Sequence, residues 1–169
     1  MKKNHKLIAL FAISSFLFVA CKNSDSSTSA TDKEVKPAFD PVAAKKSIEE
    51  TNAAFCDFFK KGDSVALANL YASDAKLMGA NMPAITGKSG IQSTFGGLIN
   101  AGITGLTLTT ADTWGAESLV GEEGTFTLSD KAGKEVDHGK YIVLWKMEDG
   151  KWKLFRDCWN SDNPLPAGK

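Results

Sequence analysis

The pattern of apolar and polar positions divides the chain into four parts. Residues 7–20 are apolar apart from two serines, and residues 22–40 are polar, small or charged. Between residues 42 and 61 apolar side chains recur at helical spacing, whereas after Gly102 apolar and polar positions alternate. The pattern predicts helices in the first half of the folded part and strands in the second half.

The predicted helices carry recognisable ends. Asp40 is a suitable N-cap, Pro41 suits the first turn, and Gly62 suits the C-terminal cap of the first helix. The expected buried stripe of that helix consists of Ala44, Ile48, Thr51, Phe55 and either Phe58 or Phe59. The following elements are a short helix from Asp63 through Tyr71, a strand at residues 75–78, a loop at residues 81–87 and a third helix that begins at Gly87.

Four strands are predicted after the third helix, and they form a meander. Two lie at residues 106–114 and 118–128, and a loop at residues 129–138 leads to a hairpin at residues 139–162. Because helices come first and strands come last, we expect an α+β fold with an antiparallel sheet packed on three N-terminal helices.

The register of the last hairpin decides which side chains share a face. Asp-Gly between two apolar runs is a strong turn signal, but a two-residue loop would set Lys146 opposite Lys153, and like charges are unfavourable there. We therefore expect a three-residue loop with a left-handed Gly150 and a bulge. The resulting pairs are Tyr141 with Asp157 and Val143 with Phe155.

This register gives the hairpin two largely apolar faces. We expect the first face to form the floor of a pocket, and the second to contact a neighbouring strand face or a second subunit. The first face carries Tyr141, Val143, Trp145, Phe155, Asp157 and Trp159. The second face carries Ile142, Leu144, Trp152, Leu154, Arg156 and Cys158.

The N-terminal residues resemble a bacterial lipoprotein signal. Three lysines precede the apolar run, and Leu17-Phe18-Val19-Ala20-Cys21 resembles a lipobox, in which cleavage precedes a cysteine that becomes acylated. An ordinary secretory signal with an incidental cysteine is the alternative. We expect a signal peptide at residues 1–20, a disordered tether at residues 21–40 that begins with lipidated Cys21, a domain at residues 41–162 and a flexible tail at residues 163–169. The lipid would anchor the chain to a membrane of the bacterial cell envelope, on the periplasmic or surface side.

Composition narrows the classes of partner. Loss of the three lysines of the signal would leave 17 basic residues against 20 acidic ones, and Arg156 is the only arginine. A mildly acidic surface without a basic stripe argues against nucleic acid. Three cysteines and two histidines form neither a disulfide framework nor a metal site, and we expect no cofactor.

Short motifs occur in order along residues 42–162. They include Phe58-(x)3-Gly62-Asp63, Leu70-Tyr71-(x)2-Asp74-Ala75, Glu123-Gly124-Thr125-Phe126-Thr127-Leu128 and Asp157-(x)-Trp159-Asn160. With these motifs the chain resembles a SnoaL-like domain of the nuclear transport factor 2-like superfamily, close to the group likened to ketosteroid isomerase. The resemblance implies a cone, in which a bent sheet wraps three helices around a pocket and the convex sheet face often forms a dimer. Members include isomerases, dehydratases, cyclases and non-catalytic assembly domains, so the resemblance implies no catalytic residue.

Three residues are candidates for proton transfer. Asp157 lies between aromatic residues, and desolvation there would raise its pKa and suit it to act as a base. Tyr141 could hold Asp157 or donate to a substrate oxygen. Glu123 would add a second carboxylate, as in the two acids and one tyrosine of ketosteroid isomerase, although alternation turns either Glu122 or Glu123 outward. A structural carboxylate is the alternative for Asp157.

Aromatic and methionine side chains could line a cavity or form plain core. The candidates are Phe55, Tyr71, Met78, Met82, Trp114, Tyr141, Val143, Trp145, Phe155 and Trp159. The sequence predicts an envelope lipoprotein that binds a small apolar or amphipathic molecule, with catalysis left open. The alternatives are an isomerase- or cyclase-like enzyme with Asp157 as general base, and a homodimerising module that pairs through the second hairpin face.

Overall fold

A computed structural model describes residues 38–164. The predicted signal peptide, Cys21, nearly all of the tether and residues 165–169 lie outside the described residues. The elements are α1 (Pro41–Lys61), α2 (Ser64–Asn69), β1 (Tyr71–Gly79), β2 (Ile85–Thr86), α3 (Gly87–Asn100), β3 (Ile103–Ala116), β4 (Leu119–Asp130), β5 (Glu135–Glu148) and β6 (Lys151–Ser161). Within the described part, no helix is both long and apolar enough to cross a membrane.

Helix α1 begins and ends where the sequence predicts. The Asp40 carboxylate accepts the backbone N–H groups of Val42 and Ala43 at 2.9 and 3.1 Å, and Gly62 adopts φ 73° after the last turn. The buried stripe contains Asn52 where Thr51 was expected. An amide therefore faces the interior among apolar side chains.

Tyr71 belongs to a strand, which corrects the prediction of a helical residue. The Asp63 side chain caps α2 by accepting the Ala66 N–H at 2.8 Å, but α2 ends at Asn69. Tyr71 is the first residue of β1 and is fully buried. The helix therefore ends two residues earlier than helical periodicity suggests.

The six strands form one sheet in the order β2-β1-β6-β5-β4-β3. Neighbouring strands are antiparallel except β1 and β6, which are parallel, so the sheet is mixed rather than purely antiparallel. The α+β prediction with a bent sheet and helices is confirmed. Two short stretches expected as loop belong to strands, because β2 lies within residues 81–87 and β5 begins at residue 135.

The predicted register of the β5–β6 hairpin is wrong. Asp149 and Gly150 adopt φ 52° and 72°, the conformation of a two-residue loop, and Lys146 does lie opposite Lys153. The like charges are tolerated because each ammonium group has its own partner. Lys146 Nζ lies 2.5 Å from an Asp74 carboxylate oxygen, and Lys153 Nζ donates to the Asn69 carbonyl at 2.7 Å.

A bulge farther along this hairpin redistributes the side chains of β6. Phe155 is the additional residue, because Leu144 pairs with Arg156 whereas Trp145 pairs with Leu154. Leu154 and Trp152 are therefore buried, at 3% and 7% exposure, although the predicted register placed them on the outer face. Phe155 leaves the inner face and contacts the Arg156 guanidinium, 3.7 Å from its ring centroid.

Candidate functional site

A cavity of about 90 Å³ lies between helices α1 and α3 and the inner face of the sheet. Its side chains are almost all apolar, and the partly exposed ones include Leu98, Leu106, Leu128 and Trp159. The lining consists of Asn52, Phe55, Phe59, Leu77, Thr94, Phe95, Leu98, Leu106, Leu108, Phe126, Leu128, Tyr141, Val143, Leu154, Asp157 and Trp159. The site is thus an apolar chamber with few polar atoms.

The sheet places two carboxylates on its inner face. Leu77, Asp157, Val143 and Glu122 lie side by side across four neighbouring strands, because each is the register partner of the next. Val143 separates the two acids, so their Cα atoms are about 10 Å apart, which is two strand spacings. Asp157 is 8% exposed and Glu122 is 0% exposed.

Asp157 is a buried carboxyl with one protein hydrogen bond. The Tyr71 hydroxyl donates to Asp157 Oδ2 at 2.5 Å, and the described residues provide no donor to Oδ1. Burial raises the pKa of Asp157 to about 6, although the Tyr71 hydrogen bond lowers it, and the charge of Glu122 raises it further. Asp157 can therefore accept a proton or a hydrogen bond near neutral pH, and Oδ1 is available for that purpose.

Tyr71 keeps its proton and remains a donor to Asp157. Burial, the negative charge of Asp157 and their hydrogen bond together hold the pKa of Tyr71 well above its ordinary value. Its ring lies among Phe55 and Phe95, at centroid distances of 6.2 and 6.0 Å. The aromatic cluster and the hydrogen bond fix the position of the Asp157 side chain.

Glu122 is fully satisfied, unlike Asp157. Its Oε1 atom accepts from Asn52 Nδ2 at 2.7 Å, Thr110 Oγ1 at 2.7 Å and Tyr141 Oη at 2.8 Å. Its Oε2 atom accepts from Trp145 Nε1 at 2.8 Å. Four donors from α1, β3 and β5 therefore stabilise one buried carboxylate, which ties the first helix to the sheet.

Tyr141 lies over Gly124, its register partner on β4. A Cβ atom at position 124 would lie 2.5 Å from Tyr141 Oη and 2.4 Å from the Thr109 carbonyl oxygen, so only glycine leaves room for the ring. Burial is the largest cause that raises the pKa of Tyr141, followed by the charge of Glu122. Tyr141 therefore stays protonated and donates to Glu122 rather than to Asp157.

The structure separates the candidate residues into three groups. Phe55, Tyr141, Val143, Trp159 and Asp157 line the cavity, whereas Tyr71 and Trp145 are buried but do not line it. Outside the lining are Met78, Met82, Trp114 and Phe155. Trp114 is 45% exposed and packs on Gly121 on the outer face, because it pairs with that glycine.

Glu123 is exposed on the outer face, so its assignment to the pocket is wrong. The inward carboxylate is Glu122, which shares its face with Val120 and Phe126 because strand side chains alternate. These two apolar neighbours were the sequence signal that could have identified it. The inward direction of Asn52 could likewise be read from its spacing to Ile48 and Phe55.

Comparison with known proteins identifies the domain. A sequence profile of the SnoaL-like domain matches residues 53–155. The chain belongs to the SnoaL-like domain family. No functionally curated protein matches it significantly.

Solved structures share the fold of this SnoaL-like domain. A protein of unknown function with a cystatin-like fold from Nostoc punctiforme is 20% identical, with 77% of this chain and 98% of that chain covered and a TM-score of 0.65. A ketosteroid isomerase-like protein from Erwinia carotovora atroseptica is also 20% identical, with 75% and 100% covered and a TM-score of 0.61. A nuclear transport factor 2-like protein from Novosphingobium aromaticivorans is 15% identical, with 73% and 86% covered and a TM-score of 0.63. At these identities the likeness shows the fold alone.

The lining of this SnoaL-like cavity limits its chemistry. Asp157 is the only lining residue that carries a charge at neutral pH. Across residues 38–164, no group of three or more His, Cys, Asp or Glu side chains could hold a metal ion. Asp157 is therefore the lining group that can take up or release a proton near neutral pH.

Proposed function

We propose that the chain is an envelope lipoprotein whose SnoaL-like domain binds a small, narrow apolar or amphipathic molecule. The observation that carries this proposal is an apolar cavity with a buried carboxyl, Asp157, whose Oδ1 atom has no protein donor. A ligand would bury its apolar part against the lining and present a donor to Oδ1. Oδ1 accepts from none of the described residues, so a ligand donor can form a charge-assisted hydrogen bond with it.

The volume of the cavity limits the shape of the ligand. An apolar cavity of about 150 Å³ is known to hold benzene, whereas this cavity measures about 90 Å³. A fused-ring molecule such as a steroid does not fit this conformation. An unbranched chain can place its first carbons in the cavity and extend past the partly exposed Leu98, Leu106 and Leu128.

Native mass spectrometry of the protein isolated from its host tests the binding proposal. We expect a retained small molecule on the wild-type chain and its loss from Leu108→Trp, in which the larger ring fills the cavity. Thr109→Trp, the next residue on β3 but exposed, is the matched control and should keep the molecule. An unliganded wild-type protein, or equal retention by both variants, would contradict the proposal.

The lipid anchor is a separate part of the proposal and rests on residues 17–21 and the polar stretch that follows. Growth of the expressing bacterium with labelled palmitate should label the chain, and Cys21→Ala should abolish the label. Labelling of the Cys21→Ala variant, or an unlabelled wild-type chain, would reject the anchor. Ligand binding would be unaffected by that outcome.

Proton transfer by Asp157 is a second candidate function. A desolvated carboxyl with a pKa of about 6 and a free Oδ1 atom can act as general base near neutral pH. The wild-type protein should then accelerate exchange of the α-hydrogens of 2-hexanone in D2O, followed by NMR, and Asp157→Asn should not. Exchange at the buffer rate with wild-type protein would reject this candidate.

Homodimerisation is a third candidate, favoured by apolar side chains on the outer sheet face. Ile142, Trp114 and Leu119 are 50%, 45% and 45% exposed there. Trp152 and Leu154 do not contribute, because the bulge turns them inward. Light scattering should show a dimer that Ile142→Lys dissociates, and a wild-type monomer at high concentration would contradict this candidate.

A further inference from the structure

The charge in the interior of the domain is negative and has no protein counterion. The buried polar or charged side chains among residues 38–164 are Asn52, Glu122 and Asp157, and both ionisable members are acids. The neighbouring base in the sequence, Arg156, lies on the outer face, where its guanidinium donates to the backbone carbonyls of Asp74 and Phe155. A charged Asp157 is therefore not neutralised from within the described domain.

The two acids differ in what remains unsatisfied. Glu122 accepts four hydrogen bonds, so its burial is offset by donors from three elements. Asp157 accepts one hydrogen bond, from Tyr71, and lines the cavity. The incompletely paired charge is thus located where a ligand can reach it.

The ionisable groups that interact with Asp157 carry no positive charge. Tyr71 comes from β1, Tyr141 from β5 and Glu122 from β4. Both tyrosines stay protonated because their pKa values are raised, and Glu122 increases the negative potential at Asp157. An anionic ligand would meet repulsion here, whereas a cation would relieve it.

Aromatic rings line the same cavity as this carboxyl. Phe126 and Trp159 meet edge to face with centroids 5.7 Å apart, and Phe55 and Phe95 do so at 5.3 Å. All four line the cavity. Aromatic faces attract ammonium groups, so this wall suits a cation better than an apolar wall of aliphatic side chains would.

We propose that the cavity selects a narrow cation, of the class of unbranched primary alkylamines, whose ammonium group donates to Asp157 Oδ1 while its chain occupies the apolar lining. This inference rests on the proposed binding function and specifies its ligand class. The volume of about 90 Å³ excludes a fused ring system, whereas the far end of an unbranched chain can extend past the partly exposed lining residues. The ion pair provides selectivity because the partner carboxylate is already desolvated in the free protein.

Isothermal titration calorimetry with three probes of equal chain length tests the proposal. Hexylammonium, 1-hexanol and hexanoate are titrated into the purified full chain at pH 7.5. We expect hexylammonium to bind at least about tenfold more tightly than 1-hexanol, as a hydrogen bond to a charged group predicts. Hexanoate should bind least.

The pH profile and a variant locate the selecting group. The amine preference should decline as the pH falls from 7.5 to 5, because Asp157 takes up a proton near pH 6 while the amine stays charged. Asp157→Asn should lose the preference and still bind 1-hexanol, which reports an intact cavity. The matched control Asp112→Asn, an exposed aspartate on β3, should keep the wild-type preference.

The possible outcomes separate this inference from the binding function itself. Equal or tighter binding of 1-hexanol to the wild-type protein would overturn the charge selection and leave the apolar pocket supported. An amine preference that survives in Asp157→Asn, or is flat between pH 5 and 7.5, would overturn the assignment to Asp157. Failure of all three probes to bind would overturn both proposals.

Discussion

Replacement of Asp157 by asparagine is expected to stabilise the fold at neutral pH and to have little effect in acid. The carboxyl has a pKa of about 6 in the folded protein, against an ordinary value of 3.8, and burial is the largest cause. Folding therefore favours the protonated form of Asp157. Asparagine resembles that form in size and can still accept the Tyr71 hydroxyl, but it carries no charge to desolvate.

The magnitude follows from the difference between the two pKa values. Each pKa unit corresponds to about 1.36 kcal/mol, so a rise from 3.8 to about 6 destabilises the wild-type fold by about 3 kcal/mol once Asp157 is fully ionised. Below pH 3.8 the carboxyl is protonated in both states and contributes nothing. The wild-type protein loses this stability as the pH rises from about 4 through 6, and the Asp157→Asn variant does not.

Urea unfolding at pH 4, 6 and 8, followed by tryptophan fluorescence, measures this difference. The variant should exceed the wild type by about 3 kcal/mol in free energy of unfolding at pH 8, which corresponds to about 10 °C in melting temperature. At pH 4 the two proteins should be within about 0.5 kcal/mol. Asp112→Asn, exposed on the outer face, controls for the loss of one surface charge and should show no such increase with pH.

Two results would contradict this account of Asp157. If Asp157→Asn is less stable than the wild type at pH 8, the ionised carboxylate stabilises the fold and serves as a structural acceptor. A stability difference that does not change between pH 4 and 8 would also refute it, because the effect would then not arise from ionisation.

Two further predictions concern the buried network and the glycines. Glu122→Ala should lower the free energy of unfolding by about 3 kcal/mol or more, because four buried donors lose their acceptor. In the same urea assay, the control Glu123→Gln on the exposed face should change the free energy of unfolding by less than about 0.5 kcal/mol. Equal effects of the two variants would contradict the inward placement of Glu122. Gly124→Ala should destabilise the fold by about 2 kcal/mol, because its Cβ would displace the Tyr141 ring. The control Gly97→Ala lies in helix α3, where a Cβ meets nothing within 4 Å, and should stabilise the fold by about 0.5–1 kcal/mol. Thermal melts measure the stability of both glycine variants. An unchanged melting temperature for Gly124→Ala would show that the Tyr141 ring does not require the space above Gly124.

Local interactions made the first half of the fold readable from the sequence. Asp40, Gly62 and Asp63 mark helix ends because capping joins a side chain or a left-handed residue to backbone groups only a few positions away. The change from helical to alternating periodicity after Gly102 likewise indicated the order of helices and strands. These features depend on neighbours in the sequence, so no tertiary information was needed.

The identity of the inward-facing side chains depended on contacts between distant parts of the chain, which the sequence alone does not reveal. Lys146 and Lys153 lie opposite each other because Asp74 on another strand binds one of them, and the Phe155 bulge then turns Trp152 and Leu154 inward. A repulsion judged from the hairpin alone therefore gave the wrong register. The carboxylate that offsets this repulsion belongs to Asp74, which is far from the hairpin in the sequence.

Local patterns along the chain were sufficient to predict the helices, the strand-rich second half and an aspartate among aromatic residues. The long-range contacts became visible only in the folded domain, where Tyr71 donates to Asp157 across 86 residues and Asn52 donates to Glu122 across 70. The side chains of a strand alternate between two faces, but burial against the helices decides which of the two faces is inside. For that reason Glu122 rather than Glu123 lies within the domain, and Asp157 keeps one oxygen free toward the cavity.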